Sequence, residues 1–158
     1  MKFDTEIFSQ FNDKWALLCA GTPDSFNAMT ISWGGMGTLW FKPVVTVYVR
    51  PDRYTYQFME KSDYFTISFY PEANRRDLTT MGSLSGRDGD KLARTGLTAK
   101  AVGNAVTFEQ AEITLLCQKI YHQDMAAENM DANIAEEYYS DAQPHRMYIG
   151  EVMEIIRK

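Results

Sequence analysis

At 158 residues the chain has the length of one domain, spanning 1–158, and a domain of that size buries about two-thirds of the surface its unfolded chain exposes. A net charge of −5 with no basic run excludes duplex nucleic acid as an expected partner, because phosphate neutralisation needs several Lys and Arg on one face. No segment approaches ~18 consecutive apolar residues and the N-terminal MKFDTEIFSQF has no long apolar core, so a soluble, cytoplasmic protein with no membrane partner is expected.

Residues 4–12 place Ile7, Phe8 and Phe11 on one side of a short helix. The run Trp15–Ala20 is continuously apolar and stops at Gly21-Thr22-Pro23-Asp24-Ser25, which predicts a strand feeding a turn. Over Asn27–Trp33, Met29, Ile31 and Trp33 alternate with Ala28, Thr30 and Ser32, the period-2 pattern of a strand with one apolar and one small polar face. Gly34, Gly35 and Gly37 read as a tight turn that ends it. The β-branched run Val44–Val49 predicts a central strand buried on both faces.

Asp52–Lys61 has helical spacing, with Tyr54 and Phe58 four apart and Thr55 and Met59 likewise. Tyr64–Tyr70 predicts another strand, Asn74–Met81 a short helix, 82–89 a loop, and Asp90–Thr95 one or two helical turns. Ala111–His122 is the longest strand candidate. Residues 125–142 predict a loop with a helical piece around Ala132–Tyr138, and Met147–Ile156 a last strand with Gly150 as a bulge or close-approach point. About six strands without a repeating βαβ rhythm argue against a doubly wound sheet and for a mainly β fold, a small closed or split antiparallel barrel with peripheral short helices. Cys19 and Cys117 each lie in an apolar run and read as buried, reduced thiols.

Two stretches carry the chemistry. The corner Arg50-Pro51-Asp52-Arg53-Tyr54-Thr55 offers two guanidinium forks and a hydroxyl at a predicted helix start, where free N–H groups point at an anion. Asp52 either caps that helix, competing for the Tyr54 and Thr55 N–H groups, or faces solvent; the plain alternative is a helix start with surface arginines. The strand Asn27, Ala28, Met29, Thr30, Ile31, Ser32, Trp33 offers backbone groups and small polar side chains to the edge of a flat ligand, with Trp33 placed to cover it or, alternatively, to sit in the core. A planar, polar, phosphate-tailed ligand needs both surfaces, and FMN is the leading candidate. Glycine-rich dinucleotide and P-loop signatures are absent, and His122 and His145 with two apolar-flanked cysteines make a poor metal set.

N-A-M-T-I-S-W followed by a glycine turn and K-P, then V-R-P-D-R-Y-T and a helix ending E-K-S, resembles the flavin reductase-like family of FMN-binding split-barrel proteins, and its flavoredoxin-like branch in particular. The later S-G-R-D-G-D-K (85–91) and P-H-R-M-Y-I-G-E-V (144–152) resemble that family's motifs too, with Ala142-Gln143-Pro144 standing where a Gly-Asp commonly precedes the histidine. The resemblance implies a homodimer with one FMN per protomer. It implies ring and ribityl contacts from the Asn27–Trp33 strand, phosphate contacts from Arg50, Arg53 and Thr55, and a cofactor-facing Lys91, otherwise a surface lysine. It places His145 near the flavin as the candidate catalytic group, otherwise a surface histidine after Pro144.

The implied activity is that of an FMN-dependent oxidoreductase of flavin reductase type. Its candidate electron donor is NADH or NADPH, and its acceptor free flavin, ferric iron, a partner oxygenase or another carrier. The alternatives are an FMN-binding electron-transfer module without NAD(P)H turnover, and a non-enzymatic dimer that binds another phosphate-bearing ligand.

Overall fold

The structure is a computed structural model describing residues 1–158. Nine strands form: β1 (Ala16–Thr22), β2 (Ser25–Ile31), β3 (Gly34–Leu39), β4 (Lys42–Val49), β5 (Tyr64–Phe69), β6 (Ala99–Val102), β7 (Ala105–Phe108), β8 (Ile113–Asp124) and β9 (Arg146–Arg157). Four short helices accompany them: α1 (Ile7–Asn12), α2 (Tyr54–Lys61), α3 (Arg75–Ser83) and α4 (Ala132–Tyr139). Seven strands make one antiparallel sheet in the order β2-β1-β5-β8-β9-β4-β3, and β6 and β7 make a separate hairpin.

The sheet wraps around a single core. Met29 and Ile31 from β2, at one edge, share it with Ala16, Leu18 and Ala20 of β1, Val45, Val47 and Val49 of β4, and Phe65, Ile67 and Phe69 of β5. Strands from both ends of the sheet therefore face the same interior, which is the expected split barrel. The two edge strands are consecutive in the chain, joined only by Ser32-Trp33. A second core, with Leu17, Cys19 and Ala28 against Leu78, Met81, Val106 and Phe108, fills the space between the outer face of β1 and the elements α3 and β7. That explains the unbroken apolar run of β1: both of its faces are covered. Cys19 and Cys117 are buried and unpaired, as expected.

Several expectations need correction. The glycines at 34–37 do not form a tight turn; Gly34–Leu39 is strand β3, paired with β4 from Gly34↔Val47 to Leu39↔Lys42. The reversal falls instead at Trp40 and Phe41, both exposed and both at positive φ (53° and 59°), where Gly and Asn are the usual residues. The Asn27–Trp33 strand stops at Ile31. The Val44–Val49 strand is buried on both faces only in part: Val45, Val47 and Val49 point inward, while on the other face Val44 is buried but Thr46 and Tyr48 are half-buried. The β6–β7 hairpin was not anticipated. Gly150 behaves as expected: it lies beside register irregularities in the β8–β9 pair, and a Cβ there would meet the Phe65 ring at 2.5 Å and Cys117 Cβ at 2.9 Å. No helix is long and apolar enough to cross a membrane.

Candidate functional site

The β4 strand ends at Val49, and Arg50-Pro51-Asp52-Arg53 turns the chain into α2. Arg53 is the N-cap residue in extended conformation, and no side chain caps the helix start. Asp52 is exposed, so it takes the solvent-facing alternative and leaves the first-turn N–H groups uncapped. Thr55 and Met59, four residues apart, are the buried positions of α2. Met59 anchors the helix in the main core, a contact whose truncation typically costs about 2–5 kcal/mol. Thr55 is thereby held against β2, where its hydroxyl accepts a 2.7 Å hydrogen bond from Asn27 Nδ2.

A cleft of about 150 Å³ opens at this junction, lined by Asn27, Thr55, Arg53, Ser85, Arg87 and Lys91 among others. Arg87 is brought there by the turn Gly86–Asp88, whose N-cap Ser85 accepts from the Arg87 N–H. A side chain at 86 would collide with Asn27 and Tyr54, so glycine lets this turn close on the start of α2. Lys91 is 6% exposed, and its ammonium donates to the Met81 and Leu84 carbonyls at 2.8 and 3.2 Å. Burial, with the Arg53 charge adding to it and Cys19 opposing, lowers Lys91 from 10.5 to about 8.

A second cleft of about 220 Å³ adjoins it, sharing Met29 and Arg53. Its other walls include Thr30, Ser32, Trp33, Arg50 and His145. Thr30 donates to the Leu78 carbonyl, tying β2 to α3. Trp33 is 47% exposed rather than a core residue. His145 Nδ1 shares a 2.7 Å hydrogen bond with the Tyr139 hydroxyl, and Trp33 packs against the His145 ring at 5.5 Å and the Tyr138 ring at 5.6 Å. Burial and then the Arg50 charge hold His145 below the ordinary histidine value, with Asp52 opposing. Arg50 donates to the Tyr138 carbonyl at 3.3 Å while its Nε is buried with no partner.

Every residue singled out from the sequence except Ala28 therefore lines one of two adjoining clefts. Ala28 is buried in the second core, and what it offers a ligand is main chain at the outer edge of β2. Sequence reasoning missed Tyr48, hidden in the valine-rich run, and Gly82, Ser83 and Arg87. Arg87 stands inside the S-G-R-D-G-D-K motif, and an isolated arginine there gave no sign that it faces the corner.

The charge pattern is one-sided. Arg50, Arg53, Arg87 and Lys91 converge on the two clefts, and none of them takes part in any of the ion pairs present. A buried ammonium without a counter-charge and a buried guanidinium N–H without an acceptor are both unfavourable when the site holds no anion. The donor set is one that phosphate oxygens satisfy.

A split barrel with paired, cation-lined clefts is the class of protein that fold and site define. The sequence model of the flavin reductase like domain matches residues 8–158, and the chain belongs to that family. No curated protein sequence matches. Solved structures are similar across the fold: an FMN-binding protein from Thermus thermophilus with bound p-hydroxybenzaldehyde (TM-score 0.74, 16% identity, 100% of this chain and 82% of that one); flavoredoxin of Desulfovibrio vulgaris (0.72, 22%, 100% and 77%); and an NADH:FAD oxidoreductase of Streptomyces globisporus in complex with NAD and FAD fragments (0.69, 15%, 92% and 74%).

Proposed function

We propose that the protein binds FMN across the two clefts and acts as an oxidoreductase of flavin reductase type, with NADH or NADPH as electron donor. The observation that carries the reading is the set of four unpaired cations around the two adjoining clefts, three of them (Arg53, Arg87 and the buried Lys91) lining the one next to an uncapped helix start. Arg53, Arg87, Lys91 and the Thr55 hydroxyl would hold the phosphate, and Asn27 keeps that hydroxyl in place. The β2 edge, Ser32 and Trp33 would line the ring and ribityl chain, with Arg50 and His145 on the far wall.

Bound FMN supplies a ring that accepts hydride and passes electrons on. The chain's own residues do the rest. Burial, with the Arg50 charge adding to it, keeps His145 neutral near pH 7, and the Tyr139 hydrogen bond fixes its ring, so that Nε2 is left to meet a ring heteroatom or a donor's carboxamide. Arg50 Nε is a fixed donor for charge that develops at its wall. We also propose that the protein is a homodimer; the exposed aromatic turn, with Trp40 59% and Phe41 fully exposed, supports an interface there or nearby.

Anaerobic mixing of the FMN-loaded protein with NADH, and separately with NADPH, tests the activity. Prompt bleaching of the oxidised-flavin band with either nicotinamide is expected. Retained FMN without bleaching by either would refute the reductase and leave an electron-transfer module. Failure to retain FMN at all would refute both.

A further inference from the structure

Beyond Trp33 lies a third cleft, of about 440 Å³, that none of the four unpaired cations lines. Ile7, Phe8 and Phe11 of α1 form one side, and Met36 with the glycines that open β3 forms another. Ser32, Trp33 and Tyr48 belong both to this cleft and to the one assigned above to the flavin ring. A molecule seated here would be separated from the ring site by single side chains. The walls are aromatic and aliphatic, and the polar groups are the neutral side chains of Asn12, Ser32 and Tyr48. Phe8 is 91% exposed and Ile7 39% exposed at its rim, so the cleft presents apolar surface that nothing in the chain covers.

We propose that this cleft is the site of a second ligand: a neutral, planar, aromatic or quinone-like molecule. The proposal builds on the FMN reading, for which it names the class of molecule seated next to the ring site, across the side chains the two clefts share. Three properties select that class. Flat rings stack or pack edge-on against Trp33 and Phe8, the exposed aromatic walls. Asn12 and Ser32 supply one or two hydrogen bonds for a carbonyl or hydroxyl, which fixes orientation without requiring charge. A pyrophosphate-bearing dinucleotide would bury its charge with no cation in this cleft to meet it, which disfavours it here. The volume falls within the range of about 300–1,000 Å³ typical of small-molecule sites.

The test is calorimetric titration of 2-naphthol into the FMN-loaded protein with the flavin oxidised and no reductant, so that binding alone is read. Saturable one-to-one binding is expected. The double variant Ile7→Ser/Phe8→Ser alters two exposed side chains and is expected to keep the fold and FMN retention while weakening 2-naphthol about tenfold, the scale of two lost apolar contacts. NAD⁺ is not expected to compete. Absence of saturable binding, equal binding by the double variant, or displacement of 2-naphthol by NAD⁺ would each overturn the proposal. So would a dimer that the double variant dissociates while neither form binds 2-naphthol, since a second copy of the chain would then be the occupant. Repeating the titration without FMN separates this claim from the FMN reading: naphthol binding that is lost in the double variant supports the cleft even if FMN is not retained.

Discussion

Replacing Lys91 with methionine should stabilise the ligand-free protein and weaken FMN at the same time. The ammonium is 6% exposed and has two carbonyl acceptors but no carboxylate. Its pKa falls from 10.5 to about 8; at about 1.4 kcal/mol per pH unit, holding the charge in the fold costs about 3 kcal/mol at pH 7. Above pH 10.5 the group is neutral folded or unfolded, and below pH 8 it is charged in both. Between them the unfolded chain binds the extra proton, so stability of the free protein rises as pH goes from 8 to 10.5. Methionine removes that cost and keeps the stem's packing; with the charge already counted, it loses two amine–carbonyl hydrogen bonds worth about 0.5–1.5 kcal/mol each. The free variant should therefore melt at or above the wild-type temperature at pH 7.

FMN binding should respond in the opposite direction. A phosphate dianion beside Lys91 favours the charged form, so wild-type affinity should decline above pH 8, approaching tenfold per pH unit, while the variant shows no such decline. At pH 7 the variant should bind FMN about 10–100-fold more weakly, the loss of one charge-assisted contact. Thermal melts and fluorescence titrations of FMN at pH 7, 8 and 9 provide the measurement. A variant with a lowered melting temperature and unchanged FMN affinity would refute the reasoning and make Lys91 a structural residue.

Arg53→Ala should weaken FMN about 10–100-fold with little change in folding, because Arg53 is half-exposed and makes one long hydrogen bond, to the Gly82 carbonyl at 3.3 Å; titration of both proteins checks it. Thr55→Val strands the buried Asn27 amide and should destabilise the protein by about 1–3 kcal/mol in urea denaturation. Stability should fall as pH drops below 6.5, because His145 is held below its ordinary value and the unfolded chain then binds the extra proton; His145→Gln should flatten that part of the acid limb. Gly150→Ala places a methyl 2.5 Å from the Phe65 ring and should cost about 1–3 kcal/mol by overpacking, read as a lower denaturation midpoint.

How much of this was legible in the sequence follows from which interactions are local. The β1 run, the alternation in β2 and the spacing of Thr55 and Met59 are local patterns, and the structure carries them out. The β3 strand was not legible, because its Gly-Gly-Met-Gly opening has neither alternation nor β-branching; its pairing to β4 defines it. The hairpin turn at Trp40-Phe41 lacks the Asn or Gly that marks such turns, while the glycines at 34–37 carry that signal and lie inside a strand. The phosphate-side residues were visible as types, but their convergence was not. Arg87 reaches the corner because Gly86 packs against Asn27 and Tyr54, residues 59 and 32 positions earlier in the chain. The burial of Lys91 is likewise a tertiary fact, since R-D-G-D-K reads locally as solvent-exposed.

The central claim is that a cluster of unpaired cations grips a phosphate tail so that a flat ring lies along β2. Parallel titrations of the protein with FMN and with riboflavin, which shares the ring and lacks the phosphate, test it most directly. FMN should bind at least ~100-fold more tightly than riboflavin, a gap of about 2.7 kcal/mol, and Arg53→Ala should close most of it. Equal affinities for the two flavins, or a gap that survives Arg53→Ala and Lys91→Met together, would contradict the account.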